Sequence, residues 1–304
     1  MSRAAAPPPR PAATGPLRDA WRRLARNRVA MAGAAVALLL LAAAILAPVL
    51  APHDPLAMPD PVGLRGAAPS AAHLLGTDAF SRDVFSRLLY GARVSLAVGL
   101  ASATIAVLIG GAVGFAAGLG PPAADTVLMR GVDVLLALPR AFILLAVLSL
   151  WEGVPLAAVI ALIGATGWFG TSRLVRAHIR QLASADWAAA TVALGGGRRR
   201  LARHLLPHVA ATIIVNATLD IGNIILLEAG LSFLGLGLRP PTPTWGNMIM
   251  EGRGLVFTAP WVAITPGLAL MVTVVAFNLL GDGLRDALDP KAARRGAALR
   301  EGTT

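Results

Sequence analysis

The sequence predicts an all-α integral membrane protein that crosses the bilayer six times, and three observations predict it. Only 14% of its 304 residues are charged against 56% hydrophobic, with mean hydropathy +0.68, which leaves too few charges to coat a soluble globule. The apolar residues gather in six runs. Most approach the ~20 residues that a helix needs to cross ~30 Å of hydrocarbon. Between the fourth and fifth runs lies a polar, Arg-rich island with no place in lipid. The net charge of +11 is carried almost wholly by Arg beside these runs, a placement that suits anionic headgroups and the setting of orientation rather than nucleic acid. With no cysteine, disulfides and thiolate metal sites are excluded.

Taken in order, residues 1–16 are rich in Pro and Ala, cannot bury a core, and are expected to be a disordered tail. Leu17 to Arg28 places Leu17, Trp21 and Leu24 at helical spacing among five arginines, which predicts an amphipathic helix on the membrane surface. Val29 to Leu50 carries no charge and is the first span, longer than the apolar core of a signal peptide. We group these elements as residues 17–56. An external segment, 57–93, follows, punctuated by prolines that exclude early helix. Thr77 and Asp78 are expected to cap the helix that comes next.

Residues 94–285 form the core, with five further runs at about Val94 to Leu119, Val127 to Leu150, Val154 to Phe169, Val209 to Leu231 and Trp261 to Leu280. The fourth is short and can be completed by Gly170 to Leu174. Residues 286–304 are a polar tail. Counted on alternate sides of six spans, the side that holds both termini and the island collects twenty basic residues against six on the other, with Arg140 left out as intramembrane. Positive residues stay inside, so both termini and the island are expected in the cytoplasm.

The island runs from Asp186 to Pro207 and reads as two short helices separated by Gly195, Gly196 and Gly197 and closed by Pro207. Its pattern, an Ala-Ala pair, then Gly195 and a later Leu206-Pro207, resembles the EAA loop of bacterial ABC importer permeases, the cytoplasmic helices that plug into ATPase subunits. Ala189 stands where that motif has Glu, and Gly195 to Pro207 is one residue shorter than in the motif. Further strings narrow the resemblance to the second permease subunit of the dipeptide, oligopeptide and nickel branch. They are Leu74-Leu75-Gly76-Thr77-Asp78, Arg82-Asp83, Gly91-Ala92-Arg93, the run from Ile225 through Glu228 to Gly237, Pro240 to Met248, and Phe277 to Pro290.

The resemblance implies a type I ABC importer permease fold with a coupling-helix loop. It also implies a homologous permease as partner, two ATP-binding subunits, an external solute-binding protein, and a peptide as substrate, with nickel chelates or glutathione-like solutes as alternatives. The expected coupling residues are Asp186, Trp187, Ala189, Ala190, Leu194, Gly195, Arg198, Arg199, Arg200 and Pro207. Trp187, Ala190 and Leu194 should pack against the ATPase and the arginines steer it. In the last third, glycines let an external gate segment bend, and Trp245 and Trp261 are expected to anchor at the membrane interface.

Two further readings bound the chemistry. A phosphate-binding loop needs Gly-Lys, and the only lysine, Lys291, follows Pro290, so the chain is not itself an ATPase, and no cofactor is expected. His204 and His208 are four apart, but Pro207 between them is expected to interrupt the helix that would align them as metal ligands. Ser81, His73 and Asp78 lack the nucleophile-elbow context of a hydrolase. The competing class is an ion-coupled secondary transporter, resting on Asp133, Asp220 and Glu228, because carboxylates at membrane depth are costly and functional. Asp133 and Glu228 fall near span ends. Asp220 is left as the deep carboxylate, and Asp220 and Glu228 are the candidates for the translocation path. The absence of an internal repeat speaks against this class, as does the enlarged loop, and a scaffold without transport would leave Asp220 incidental.

Overall fold

The structure, a computed structural model, describes residues 16–151, 153–195 and 197–288. The expectations for the N-terminal tail, for Gly196, and for the tail beyond Leu288 that includes Lys291 lie outside the described residues. The chain is helical, as predicted. Five helices are long and apolar enough to cross a membrane, up to six spans if a bent pair is counted as one. A surface helix α1 (Pro16–Arg26) leads into α2 (Arg28–Ile45), whose first turn is capped by Asn27 Oδ1 accepting from Ala30 N at 3.1 Å. A single turn, α3 (Ala47–Leu50), completes that crossing.

The second span begins ten residues before its apolar run. Helix α4 (Val84–Leu119) is 36 residues long and is capped by Asp83, whose carboxylate accepts from Ser86 N at 2.7 Å. Thr77 and Asp78 are therefore not its cap. Thr77 Oγ1 instead donates to Leu64 O inside the external segment, and Asp78 enters an ion network. The third run is not one straight helix: α5 (Pro122–Ala137) and α6 (Arg140–Ser149) meet at 74° across Leu138 and Pro139. Proline restricts the residue before it and removes a backbone donor, so the break falls where the sequence permits no helical hydrogen bond. Helix α7 (Leu156–Ala183) extends the short fourth run through Leu174 without interruption.

Helix α8 (Asp186–Ala193) and the glycines precede α9 (Arg198–Phe233), where the second correction falls. Pro207 does not close a short helix; it sits inside α9, which is continuous with the fifth span. Proline in a long helix costs one backbone bond, and neighbouring helices and packing make that loss tolerable in membrane proteins. Beyond α9, Thr244 caps α10 (Trp245–Gly252), and α11 (Trp261–Leu288) ends the described chain.

Helices α4 and α7 form the most extensive pair. The reason is a row of small residues, Gly110, Gly114 and Gly118, one turn apart on α4. A Cβ at Gly110 would lie 2.8 Å from Trp168 O, one at Gly114 2.7 Å from Ser172 O, and one at Gly118 2.8 Å from Ile179 Cγ2. In lipid, where apolar faces gain little by meeting, such close backbone approach is what holds helices together. Gly111, on another face, has only Ile213 Cδ1 within reach, at 4.0 Å. Gly114→Ala should therefore lower stability by about 1–3 kcal/mol through overpacking, whereas Gly111→Ala should leave it unchanged or raise it slightly. Thermal unfolding of the two detergent-solubilised variants checks this, and equal unfolding temperatures would contradict it.

On the other side α11 packs against α2 and α9, and α10 is wedged between α9 and α11. Trp245 is not an interfacial anchor: it is 1% exposed, with Nε1 donating to Leu88 O at 3.1 Å and its ring against Gly91. The segment between α3 and α4 is tied down by four buried charges. Asp78 Oδ2 accepts from Arg82 Nε at 2.6 Å, and Glu251 Oε2 accepts from Arg82 Nη2 at 2.7 Å and from Arg87 Nη2 at 2.8 Å. Segment, α4 and α10 are thereby joined.

Candidate coupling loop and intramembrane polar site

The short helix α8 rests on the ends of α7 and α9. Its inward contact is small: Ala188 is buried in a cluster of Val175, Ile179, Leu201, Leu205 and Val209. Ala185 O accepts from the Ala188 and Ala189 amides, and Thr191 Oγ1 donates back to Trp187 O, so the helix is locally satisfied. Its outer face carries Asp186, Ala189, Ala190, Ala193 and Leu194, all exposed, Leu194 to 86%. Trp187 is 39% exposed, and its ring lies 6.1 Å from that of His208. An eight-residue helix with a bare apolar side is too short to be stable alone and is held by the long helices beneath it.

Gly195 adopts φ +78°, the left-handed conformation that glycine takes without penalty. Among the described residues a Cβ there would meet nothing within 4 Å, so the requirement for glycine is conformational. Gly197 is the N-cap of α9, its carbonyl accepting from the Arg200 and Leu201 amides. Arg198, Arg199 and Arg200 thus occupy the first turn, where the positive end of the helix dipole disfavours them unless an anionic surface lies close. Because α9 runs through Pro207, His204 and His208 do lie on one continuous helix. The proline argument against a metal pair therefore fails.

Next to the loop, α5 and α7 are laced by charge. Asp125 accepts from Arg176 Nη2 at 2.7 Å and from Arg180 Nη2 at 2.5 Å, and Asp133 pairs with Arg173. Deeper in the bundle, half-buried Asp220 accepts from Asn216 Nδ2 at 2.9 Å. Arg140, the first residue after the break between α5 and α6, donates to Ile163 O at 2.6 Å and to Thr166 Oγ1 at 3.2 Å. Arg140 also edges a cavity of about 290 Å³ lined by Pro139, Thr166, Gly167 and Phe169. Sequence reasoning set Arg140 aside; the signal was Pro139-Arg140 in the middle of an apolar run, a break with a cation at it. Glu228 is enclosed, 0% exposed, with Oε1 accepting from Ser232 Oγ at 2.7 Å and no partner for Oε2, so it does not open onto a cavity here.

Residues 89–294 match the family described as binding-protein-dependent transport system inner membrane component, and residues 15–69 match the N-terminal transmembrane domain of oligopeptide transport permease C. The chain is 42% identical over 277 residues to a glutathione transport system permease protein of Pectobacterium atrosepticum, covering 91% of each chain. It is 40% identical over 283 residues to a di/tripeptide transport system permease protein of Pseudomonas aeruginosa, covering 91% of this chain and 92% of that one. To a dipeptide transport system permease protein of Bacillus subtilis it is 39% identical over 278 residues, covering 91% and 86%.

Proposed function

The chain belongs to the family of binding-protein-dependent transport system inner membrane components, and we propose that it forms one half of the path by which an ATP-driven importer moves di- and oligopeptides. The relatives named for glutathione, dipeptides and di/tripeptides support a peptide-like solute. The observation that carries the mechanism is the bare outer face of α8, clamped between α7 and α9 and followed by a left-handed glycine. Two ATP-binding subunits are the partners of that face, a homologous permease completes the path, and an external solute-binding protein delivers the peptide.

The distribution of arginines supports a bacterial inner membrane orientation with both termini and α8 in the cytoplasm. Ser70, Thr242 and Ser184 are all exposed. Cysteines at Ser70 and Thr242 should react with an impermeant thiol reagent added to cells whose outer face is accessible, and one at Ser184 should not. Labelling at Ser184 would invert the topology.

Within the membrane, Asp220 lines the path, its carboxylate held by Asn216 for a solute that carries donors of its own. Losing a charge-assisted hydrogen bond of about 1.5–3 kcal/mol corresponds to roughly 10- to 150-fold. Asp220→Ala should lower peptide uptake on that scale while the assembled complex is recovered in normal amount; unchanged uptake would remove Asp220 from the path. The function itself is tested by uptake of a labelled dipeptide by the assembled complex while a protonophore collapses the proton gradient and ATP is maintained. Uptake persists if ATP drives it and stops if the chain is an ion-coupled carrier.

A further inference from the structure

We propose that His53, His73 and Asp83 form a binding site for a divalent transition metal ion of the zinc class on the external side of the bundle. The three come from separate segments: His53 follows α3, His73 lies in the external segment, and Asp83 caps α4. Asp83 Oδ1 is 2.9 Å from His73 Nδ1 and 3.7 Å from His53 Nδ1, and the ligand atoms of all three residues lie within 4.8 Å of one another. Ligands about 2.0–2.1 Å from a tetrahedral ion stand about 3.3–3.4 Å apart, and the two measured separations bracket that edge. Two imidazoles and a carboxylate are a donor set suited to such an ion, and three protein ligands leave the fourth position for water or a solute group.

The surroundings hold the donors in place. Asp83 spends Oδ2 on the Ser86 amide and keeps Oδ1 for the histidines. The His53 amide donates to Ser86 Oγ at 3.2 Å, and the His73 amide donates to Ser70 Oγ at 3.1 Å while its carbonyl accepts from the Ser70 and Gly76 amides. The nearby guanidinium groups of Arg82 and Arg87 are matched by Asp78 and Glu251, so no free cation opposes a metal from that network. Asp83 and His73 are 1% and 11% exposed, His53 40%. The buried pair is preorganised, and the exposed ring of His53 can turn to close the site. His53 also lines a cavity of about 880 Å³ together with Tyr90, Arg93 and Thr242, which gives the open position an approach. A metal here would rivet the end of the first crossing to the N-terminus of α4.

The test uses the full chain in detergent after chelator treatment, with Co²⁺ and Zn²⁺ alone as probes. The chain has five histidines and no cysteine, and the other three histidines lie on α7 and α9, so background binding is simple. Stoichiometric Co²⁺ should give the visible absorption of a four-coordinate site, Zn²⁺ should displace it and raise the unfolding temperature, and Mg²⁺ should do neither. His53→Gln, at an exposed position whose backbone bond is retained, should weaken binding at least about tenfold; the His204→Gln, His208→Gln double variant should bind as before. Absence of the absorption, which would leave a hydrogen-bonded His73–Asp83 pair only, overturns the proposal. So does its persistence in His53→Gln or its loss in the double variant.

Discussion

Complexes built with Gly195→Val should contain normal amounts of both permeases and yet hydrolyse ATP no faster when loaded solute-binding protein is added. At φ +78° a β-branched residue is strained by about 1–3 kcal/mol, which in a two-state equilibrium is about 5- to 150-fold. Among the described residues nothing lies near a Cβ added there, so the strain falls on the turn and spares the membrane helices. The turn relaxes by re-aiming α8, whose one deep anchor among the described residues is Ala188. A groove on an ATPase then meets a displaced helix, and closure around nucleotide no longer reaches the gates. Gly195→Asn, which tolerates the left-handed region, should retain most of the stimulation. Reversing the charge of Arg198, Arg199 and Arg200 should abolish stimulation by another route, loss of steering. Normal stimulation in both the valine and the charge-reversed variants would mean that this loop does not couple the subunits.

The largest loss of stability is expected at Glu251. Its carboxylate holds Arg82 and Arg87, whose side chains are 2% and 1% exposed. Removing one partner from a buried ion network costs about 3–5 kcal/mol, because the charges left behind keep their desolvation penalty and lose their compensation. Arg87 Nη1 already has no acceptor among the described residues, so the network starts one hydrogen bond short. Glu251→Ala should therefore lower the unfolding temperature steeply and release the external segment to proteolysis. Asp133→Ala, which breaks a pair with Arg173 whose side chains are 43% and 49% exposed, should cost no more than about 1 kcal/mol. Similar losses in the two variants would show that the Glu251 network is solvated.

How much of this was legible in the sequence differs by element. The spans were, because a helix in lipid satisfies its own backbone and needs only an apolar run. Their ends were not. The start of α4 is set by the Asp83 cap and by Arg87, a charge that can lie within a helix because Glu251, far along the chain, meets it. Trp245 read as an interfacial anchor because aromatic residues favour headgroups, whereas its burial depends on Gly91 making room on another helix. The helix, glycine turn and following helix from Asp186 onward were legible, since helix formers and glycines act locally, but the end of the second helix at Pro207 was not. The His53, His73 and Asp83 cluster was not: no local rule brings residues 10, 20 and 30 positions apart within reach of one another.

The continuity of α9 through Pro207 has a mechanical consequence. At 1.5 Å per residue its 36 residues make a rod of about 54 Å, well beyond the ~30 Å of hydrocarbon it must cross. Asp220 lies about 33 Å along it from Arg198, and Glu228 about 45 Å. A rod of this kind stores little energy in bending, so if an ATPase subunit grips α8 as proposed, the tilt it imposes is carried to both carboxylates in proportion to their distance from the pivot. Pro207, which removes one backbone bond a quarter of the way along, is then the point of greatest compliance. A stiffer residue there would not slow the stroke; it would change the angle at which the far end swings.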